Sequence, residues 1–267
     1  TFTGAGETDN GLTFGASIDL DEVNEQNNED VSNSSNDGSA NYAVFISGAF
    51  GTLTMGDTDS GMDWALSEAA GQVGSIDDVQ TTHAGYVGGN YLDEAISDQI
   101  LRYNNSFGAF GVAASVEIAD ENADTVDFGY SLGFSYDLDF AGGSAEFGIG
   151  YTDADSLGEV VAAAVAVELN SGFSFGAMIA DGDVLTTAST ADTHYQLSVG
   201  YEFGPFAIGA NYGEFDGGAT DNSGYAITGS YDLGGGATLH AGFGDSDGTR
   251  GAYDNTQQYS LGLAMSF

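Results

Sequence analysis

The sequence predicts an all-β fold, a transmembrane antiparallel β-barrel, and three observations carry that prediction. Side chains alternate between apolar and polar with a period of two over most of the chain. Tight turns alternate with longer polar loops, the asymmetry expected of a barrel that crosses a membrane. No stretch approaches the roughly 18 apolar residues of a membrane helix, whereas a barrel strand needs only about 9–11 residues of alternating character.

The alternation runs in order along the chain. Leu12–Leu20 is the first extended example. Phe128, Tyr130, Leu132, Phe134, Tyr136 and Leu138 then alternate with Gly129, Ser131, Gly133, Ser135 and Asp137. Ala145–Tyr151, Val161–Leu169, Phe173–Ile179, Phe206–Tyr212 and Tyr225–Leu233 repeat the pattern. So does Tyr195–Phe203, and the chain ends with Tyr259, Leu261, Leu263, Met265 and Phe267 on one face. In a strand the two sets point to opposite sides. Aromatics near strand ends on the apolar face suit membrane interfaces, and the Gly, Ser, Ala, Asn, Asp and Glu of the other face suit a wet interior.

Turn signals stand at Thr8–Gly11, Asn170–Gly172, Gly204–Pro205 and Gly234–Gly236. Longer polar connections fall at Asp21–Asn41, Asp57–Ser97, Ala119–Thr125, Asp153–Gly158, Asp181–Asp192, Glu214–Ser223 and Asp245–Thr256. The reading is one barrel domain over 1–267, with 57–97 as a long loop inside it. Counting segments gives about fifteen strands, with Thr1–Gly6 as the first remnant, and bacterial single-chain barrels have even numbers. Sixteen strands are therefore expected in the intact protein, with the N-terminal one missing here and a gap beside the last strand. An export signal is expected to have been removed before Thr1.

Composition narrows the functional classes. The chain has 42 Gly, 17 Phe and 14 Tyr, no Cys, and only Arg102 and Arg250 as strong bases against 41 acids. A net charge of -39 excludes generic nucleic-acid binding, because nothing would neutralise phosphates. It allows cations as counter-ions. Without cysteine there are no disulfides or thiolate metal sites.

Several segments resemble a known family. Gly11-Leu12-Thr13-Phe14-Gly15-Ala16-Ser17, Val44–Gly51 and Met55-Gly56-Asp57 resemble the general diffusion porins of alphaproteobacteria, the Rhodobacter type. Leu101-Arg102-Tyr103-Asn104 with Phe107–Phe110, Tyr231–Ala237 and the terminal Phe267 are similar to the same family. The resemblance spans nearly the whole chain. It implies a sixteen-stranded homotrimer in the bacterial outer membrane whose third loop folds into the lumen. It further implies passive diffusion of small hydrophilic solutes, with Phe267 resembling the signal read by the assembly machinery. The segment in which wall arginines cluster in that family has no counterpart here.

The longest insertion, 57–97, is then the candidate constriction loop. Its acids Asp63, Glu68, Asp77, Asp78, Asp93 and Glu94 are candidate eyelet residues, as are Asp57, Asp59 and, at the loop's exit, Asp98. Arg102 is expected to point inward, because Leu101 and Tyr103 carry the lipid-face parity. A wall cation facing carboxylates would set a transverse field across the eyelet. The acid inventory favours cations over anions. No cofactor is expected to be required; calcium is a candidate ligand of Asp77, Asp78, Asp93 and Glu94. Other loop acids read as solvated surface or as divalent-ion bridges to lipopolysaccharide.

No catalytic residues are assigned. His83, His194 and His240 are far apart in sequence and read as polar lining residues, the last two with lumen-facing parity. Three alternatives remain at this level, one of them a barrel enzyme, which would need a Ser and a His within hydrogen-bond reach on the outer wall. A secreted, acidic, calcium-binding β-sandwich or adhesin would pack its apolar rows against one another, and a substrate-specific outer-membrane channel would bind its solute saturably.

Overall fold

The computed structural model describes residues 2–18, 42–66, 83–87, 91–93, 96, 99–118, 128–155, 157–185, 190–217, 222–248 and 257–265. Arg250 and Phe267 lie outside the described residues, as do Glu68, Asp77, Asp78, Glu94 and Asp98.

The strands follow one another around a single antiparallel sheet of fifteen. The first six are β1 (Phe2–Glu7), β2 (Thr13–Ile18), β3 (Tyr42–Gly48), β4 (Gly51–Gly56), β5 (Ile100–Phe107) and β6 (Phe110–Ile118). The next five are β7 (Phe128–Phe140), β8 (Gly143–Ala154), β9 (Gly158–Leu169), β10 (Phe173–Leu185) and β11 (Thr190–Phe203). The last four are β12 (Phe206–Asp216), β13 (Asn222–Gly234), β14 (Ala237–Asp247) and β15 (Gln257–Met265). Each pairs only with its neighbours in sequence. Among the described residues no ladder joins β1 to β15, so the sheet keeps two edges.

The apolar rows face outward and stay uncovered. Leu197 is 57% exposed, Ile149 52% and Leu132 43%, while the intervening Gln196, Thr152 and Ser131 are buried on the other face. A β-sandwich would bury those rows against a second layer; the sandwich alternative is thereby overturned. Two belts of rings border the apolar band. At the turn end Phe110 packs on Tyr136, Phe173 on Tyr201 and Phe206 on Tyr231. At the loop end Tyr130 meets Tyr151, Tyr195 meets Tyr212, and Phe243 packs between Tyr225 and Tyr259. Amphipathic rings at both borders match the two interfaces of a bilayer.

The bounds of several connections differ from the sequence reading. Asp153 and Ala154 belong to β8, so the expected loop there shrinks to a three-residue connection, 155–157. β10 runs to Leu185 and β11 starts at Thr190, leaving 186–189 rather than Asp181–Asp192 as the connection. Polar strand ends read as loop, yet ladder pairing continues into the aqueous phase because it does not depend on an apolar face. The β12–β13 and β14–β15 connections narrow likewise, to 217–221 and 248–256, and the β4–β5 connection is 57–99, since β5 begins at Ile100.

The connection after β4 holds a short helix, α1 (Gly61–Ala65), which the alternation did not predict. The side chain of its N-cap Ser60 accepts from the Asp63 N–H at 3.3 Å. That bond satisfies one of the four orphan donors at a helix start.

Candidate functional site

The inner face of the sheet is a docking surface for the described parts of the β4–β5 connection. Gly133, Gly148 and Gly150, on the inward parity of β7 and β8, form a bare floor beneath α1. A Cβ on Gly133 would stand 1.8 Å from the Gly61 oxygen, and one on Gly150 would stand 2.1 Å from Met62 Cγ. Only residues without a side chain permit this approach of backbone to backbone. Two serines complete the seat: Gly61 N–H donates to Ser115 Oγ at 2.9 Å and Met62 N–H to Ser131 Oγ at 2.7 Å. Thr152 hydroxyl donates to Ser131 Oγ from β8, at 2.9 Å. The orphan donors at the start of α1 are thus satisfied by the barrel wall.

Farther along, residues 83–87 lie on the opposite part of the wall. Gly85 and Gly213 of β12 meet backbone to backbone, each ideal Cβ standing 2.0 Å from the other's oxygen. Ala84 N–H donates to Ser246 Oγ at 3.0 Å, on β14, and Val87 N–H to Gln196 Oε1 at 3.1 Å, on β11. The chain then returns: Tyr91 and Leu92 enter an apolar cluster, and Ile96 N–H donates to Glu117 Oε1 of β6 at 2.7 Å. The described parts of the connection therefore touch β5 to β8, then β11 to β14, then β6 again.

That apolar cluster is a second departure from the sequence reading, which gave the inner face only small and polar residues. Val160 and Ala162 of β9, Met178 and Ala180 of β10 and Phe215 of β12 are buried with Met62, Leu66, Val87, Tyr91 and Leu92. Their parity faces inward. Alternation identifies which face a residue belongs to, but an apolar inner residue looks like noise until a loop covers it.

Arg102 points inward from β5, 9% exposed between the outward Leu101 and Tyr103. Its Nη1 donates to the Asp59 backbone oxygen at 2.8 Å and forms an ion pair with Asp59 Oδ2 at 3.0 Å. Its Nε is buried with no hydrogen-bond partner. Asp59 itself remains 59% exposed, so the pair sits at the edge of water. Asp93 accepts from Ser60 N–H at 3.0 Å and lies beside Asp63. Burial is the main cause that holds the Asp93 carboxyl above its ordinary range; the Asp59 charge adds to it, and the bonds from Ser60 and Asp63 oppose it. Of the sequence-derived eyelet residues, the structure brings Asp63, Asp93 and Arg102 to the same end of the loop. Alternation alone did not single out Ser115, Ser131, Gln196, Asn211, Ser246 or Glu117. Their only signal was a hydrogen-bonding group at inward parity.

Toward the turn end the inner face carries carboxylates on β7, β8, β9, β11 and β13: Asp137, Asp139, Glu146, Glu168, Glu202 and Asp232. Asp137 stands opposite Glu146 in the ladder. No group of three or more histidine and acidic side chains is placed to hold a metal ion among the described residues.

An outward apolar band with two aromatic borders, a polar inner wall and a loop seated inside define a membrane-spanning β-barrel channel. Comparison with known proteins identifies the lineage. The chain belongs to the Gram-negative porins: the family model of that description matches residues 1–251. A porin of Rhodobacter capsulatus is 32% identical over 271 aligned residues, covering 92% of this chain and 85% of that protein. A porin structure refined at 1.8 Å superposes with a TM-score of 0.67 at 25% identity, covering 99% of this chain and 90% of the other. A variant of Rh. blastica porin shares the fold, with a TM-score of 0.64 at 20% identity and coverage of 99% and 88%. The chain is an outer-membrane β-barrel of the porin family, and such a barrel is a channel rather than an enzyme fold.

Proposed function

We propose that the channel passes small hydrophilic solutes and ions by passive diffusion, prefers cations, and is narrowed by the connection 57–99. The observation that carries the selectivity is the charge inventory of the interior. Inward carboxylates occupy five strands toward the turn end, while the inward base Arg102 is already neutralised by Asp59. Fixed negative charge along a water-filled lumen concentrates cations and repels anions. The seating of α1 and of 83–87 on separate parts of the wall supports the loop as the narrowest point, with Asp59, Asp63, Asp93 and Arg102 beside the path. Glu68, Asp77, Asp78 and Glu94 join them in this reading as loop acids.

Family membership further favours a homotrimer, lipopolysaccharide around the loop-end rim and no catalytic activity. The ring nitrogens of His83 and His194 are engaged in holding the loop, which leaves them poorly placed to act as catalytic bases on a substrate. No cofactor is needed for diffusion. Calcium is proposed as an optional ligand of the loop acids Asp77, Asp78, Asp93 and Glu94; added calcium should then raise the thermal stability of the folded barrel and chelator should reverse it. The deciding experiment for the main reading is the reversal potential in a planar bilayer under a salt gradient. A cation-sided potential is expected; an anion-sided one overturns the selectivity.

A further inference from the structure

The carbonyl and N–H of Gly85 are each held by a different imidazole. Gly85 N–H donates to His83 Nδ1 at 3.1 Å. A backbone N–H can only donate, so Nδ1 of His83 carries no proton and Nε2–H donates to Asn211 Oδ1 on β12 at 2.7 Å. The Gly85 oxygen can only accept, so His194 Nε2–H donates to it at 2.9 Å. His194 Nδ1 is then the bare nitrogen and accepts the Tyr91 hydroxyl proton at 2.5 Å. His83 is 1% exposed and His194 0%, and both rings are wedged: His83 beside Tyr86, His194 between Tyr91 and Phe215. Each imidazole therefore serves as both donor and acceptor, and only its neutral form, as one tautomer, can do so.

We propose that His83 and His194 form a neutral-imidazole latch that holds 83–87 and Tyr91 against the β11–β14 wall, and that protonation of His83 releases it. The two rings differ in tolerance. A second proton on His194 would face a hydroxyl, which can rotate and accept. A proton on His83 Nδ1 would face the Gly85 N–H, donor against donor, and neither group can turn. Gly85 would then have to leave the wall, and its partner contact with Gly213 would open. The groups around His83 are Tyr86 from the loop, Asn211 on β12, Gly224 on β13 and Ser246 on β14. Around His194 they are Tyr91 from the loop and Phe215 and Gly213 on β12. Of the other titratable groups near the latch, Asp192 shares the inward parity of His194 and lies against Gly217, and His240 faces inward lower on β14. Glu214, Asp245 and Asp247 are on the outward parity.

The latch rests on the reading of 57–99 as the constriction only for its effect on current, so two readouts separate the claims. The first is amide hydrogen exchange at Ala84, Gly85 and Val87 in the detergent-solubilised barrel, corrected for intrinsic rates, at about pH 7.5 and about pH 5, a span across which an imidazole titrates. The second is single-channel conductance at the same two pH values. Protection at these amides should fall at the lower pH by about tenfold, the change expected when one buried hydrogen bond is lost. In His83→Gln and His194→Gln, which keep a donor and an acceptor but cannot titrate, the loss should vanish for the former and persist for the latter. Heat-modifiable gel migration checks that each variant folds; should His83→Gln fail to fold, Asn211→Asp replaces it. That variant sets a carboxylate against the imidazolium, so His83 takes its second proton at higher pH and the loss of protection should begin at higher pH than in the wild-type chain; an unshifted onset would overturn the latch. Protection that does not change with pH in the wild-type chain overturns the latch. Protection lost while conductance stays constant upholds the latch and overturns the constriction reading instead.

Discussion

Replacing Gly133 by alanine tests the seat of α1 directly. The added Cβ would stand 1.8 Å from the Gly61 oxygen and 2.5 Å from Ala65 Cβ. An ordinary carbon–oxygen contact is about 3.3 Å, so α1 must withdraw from the wall by roughly 1.5 Å, because close-packed interiors offer no slack. That displacement stretches the bonds from Gly61 N–H to Ser115 and from Met62 N–H to Ser131, now 2.9 and 2.7 Å, beyond hydrogen-bonding range. Each leaves a buried donor without its acceptor, at about 1–3 kcal/mol apiece, so the seat loses about 2–6 kcal/mol. The β7 ladder itself is untouched, since Gly133 does not sit at positive φ. The barrel should therefore fold while α1 moves toward the pore axis and conductance falls. Gly229→Ala is the control: its Cβ meets only the Ala207 oxygen, at 3.6 Å. Single-channel conductance and amide exchange at Gly61 and Met62 report the outcome. A Gly133→Ala barrel with unaltered conductance and unaltered protection of both amides would refute the docking argument.

Other predictions follow the same geometry. Asp59→Asn removes the partner of a buried arginine and should move the reversal potential toward anions, whereas Arg102→Gln should move it toward cations; equal potentials for the two variants would contradict the pairing. Leu197→Arg places a charge on the lipid face at a cost of about 2–4 kcal/mol near the midplane and should block insertion, while Ser198→Arg, on the inner face, should insert and reduce cation preference. Phe215→Ala empties the fully buried centre of the inner cluster and should destabilise the docked loop by about 3–5 kcal/mol, read as a lower unfolding temperature with the strand ladder retained. The raised pKa of Asp93 means its protonated form fits the folded state better than the unfolded one. Its contribution is therefore complete below the ordinary carboxylate range and is lost as pH rises through the raised value. Asp93→Asn, which still accepts from Ser60, should flatten the stability profile across that acidic window; an unchanged profile would count against the assignment. This dependence runs opposite to that of the histidine latch, so the two are separable by pH.

The sequence by itself determined the class of fold and the side on which each strand residue lies. A period of two is a property of the extended backbone, and it needs no partner to be read. Leu101, Arg102 and Tyr103 are the plainest case: parity alone turned the arginine inward, and the outward rows of Leu132, Ile149 and Leu197 were legible for the same reason. The turns at Gly172, Gly204 and Gly234 to Gly236 were equally local, because positive φ marks them in the chain. Only the tertiary structure decided where the loop sits. Ser115, Ser131, Gln196 and Ser246 look like any other lumen residue until a segment 54 to 162 positions away in sequence brings an N–H group to each of them. The same holds for Gly133, Gly150 and Gly213, whose missing side chains matter only because another backbone occupies the space. Face is set by the covalent geometry of neighbours along the chain, whereas docking is set by complementarity between segments far apart in it, and no periodicity encodes that.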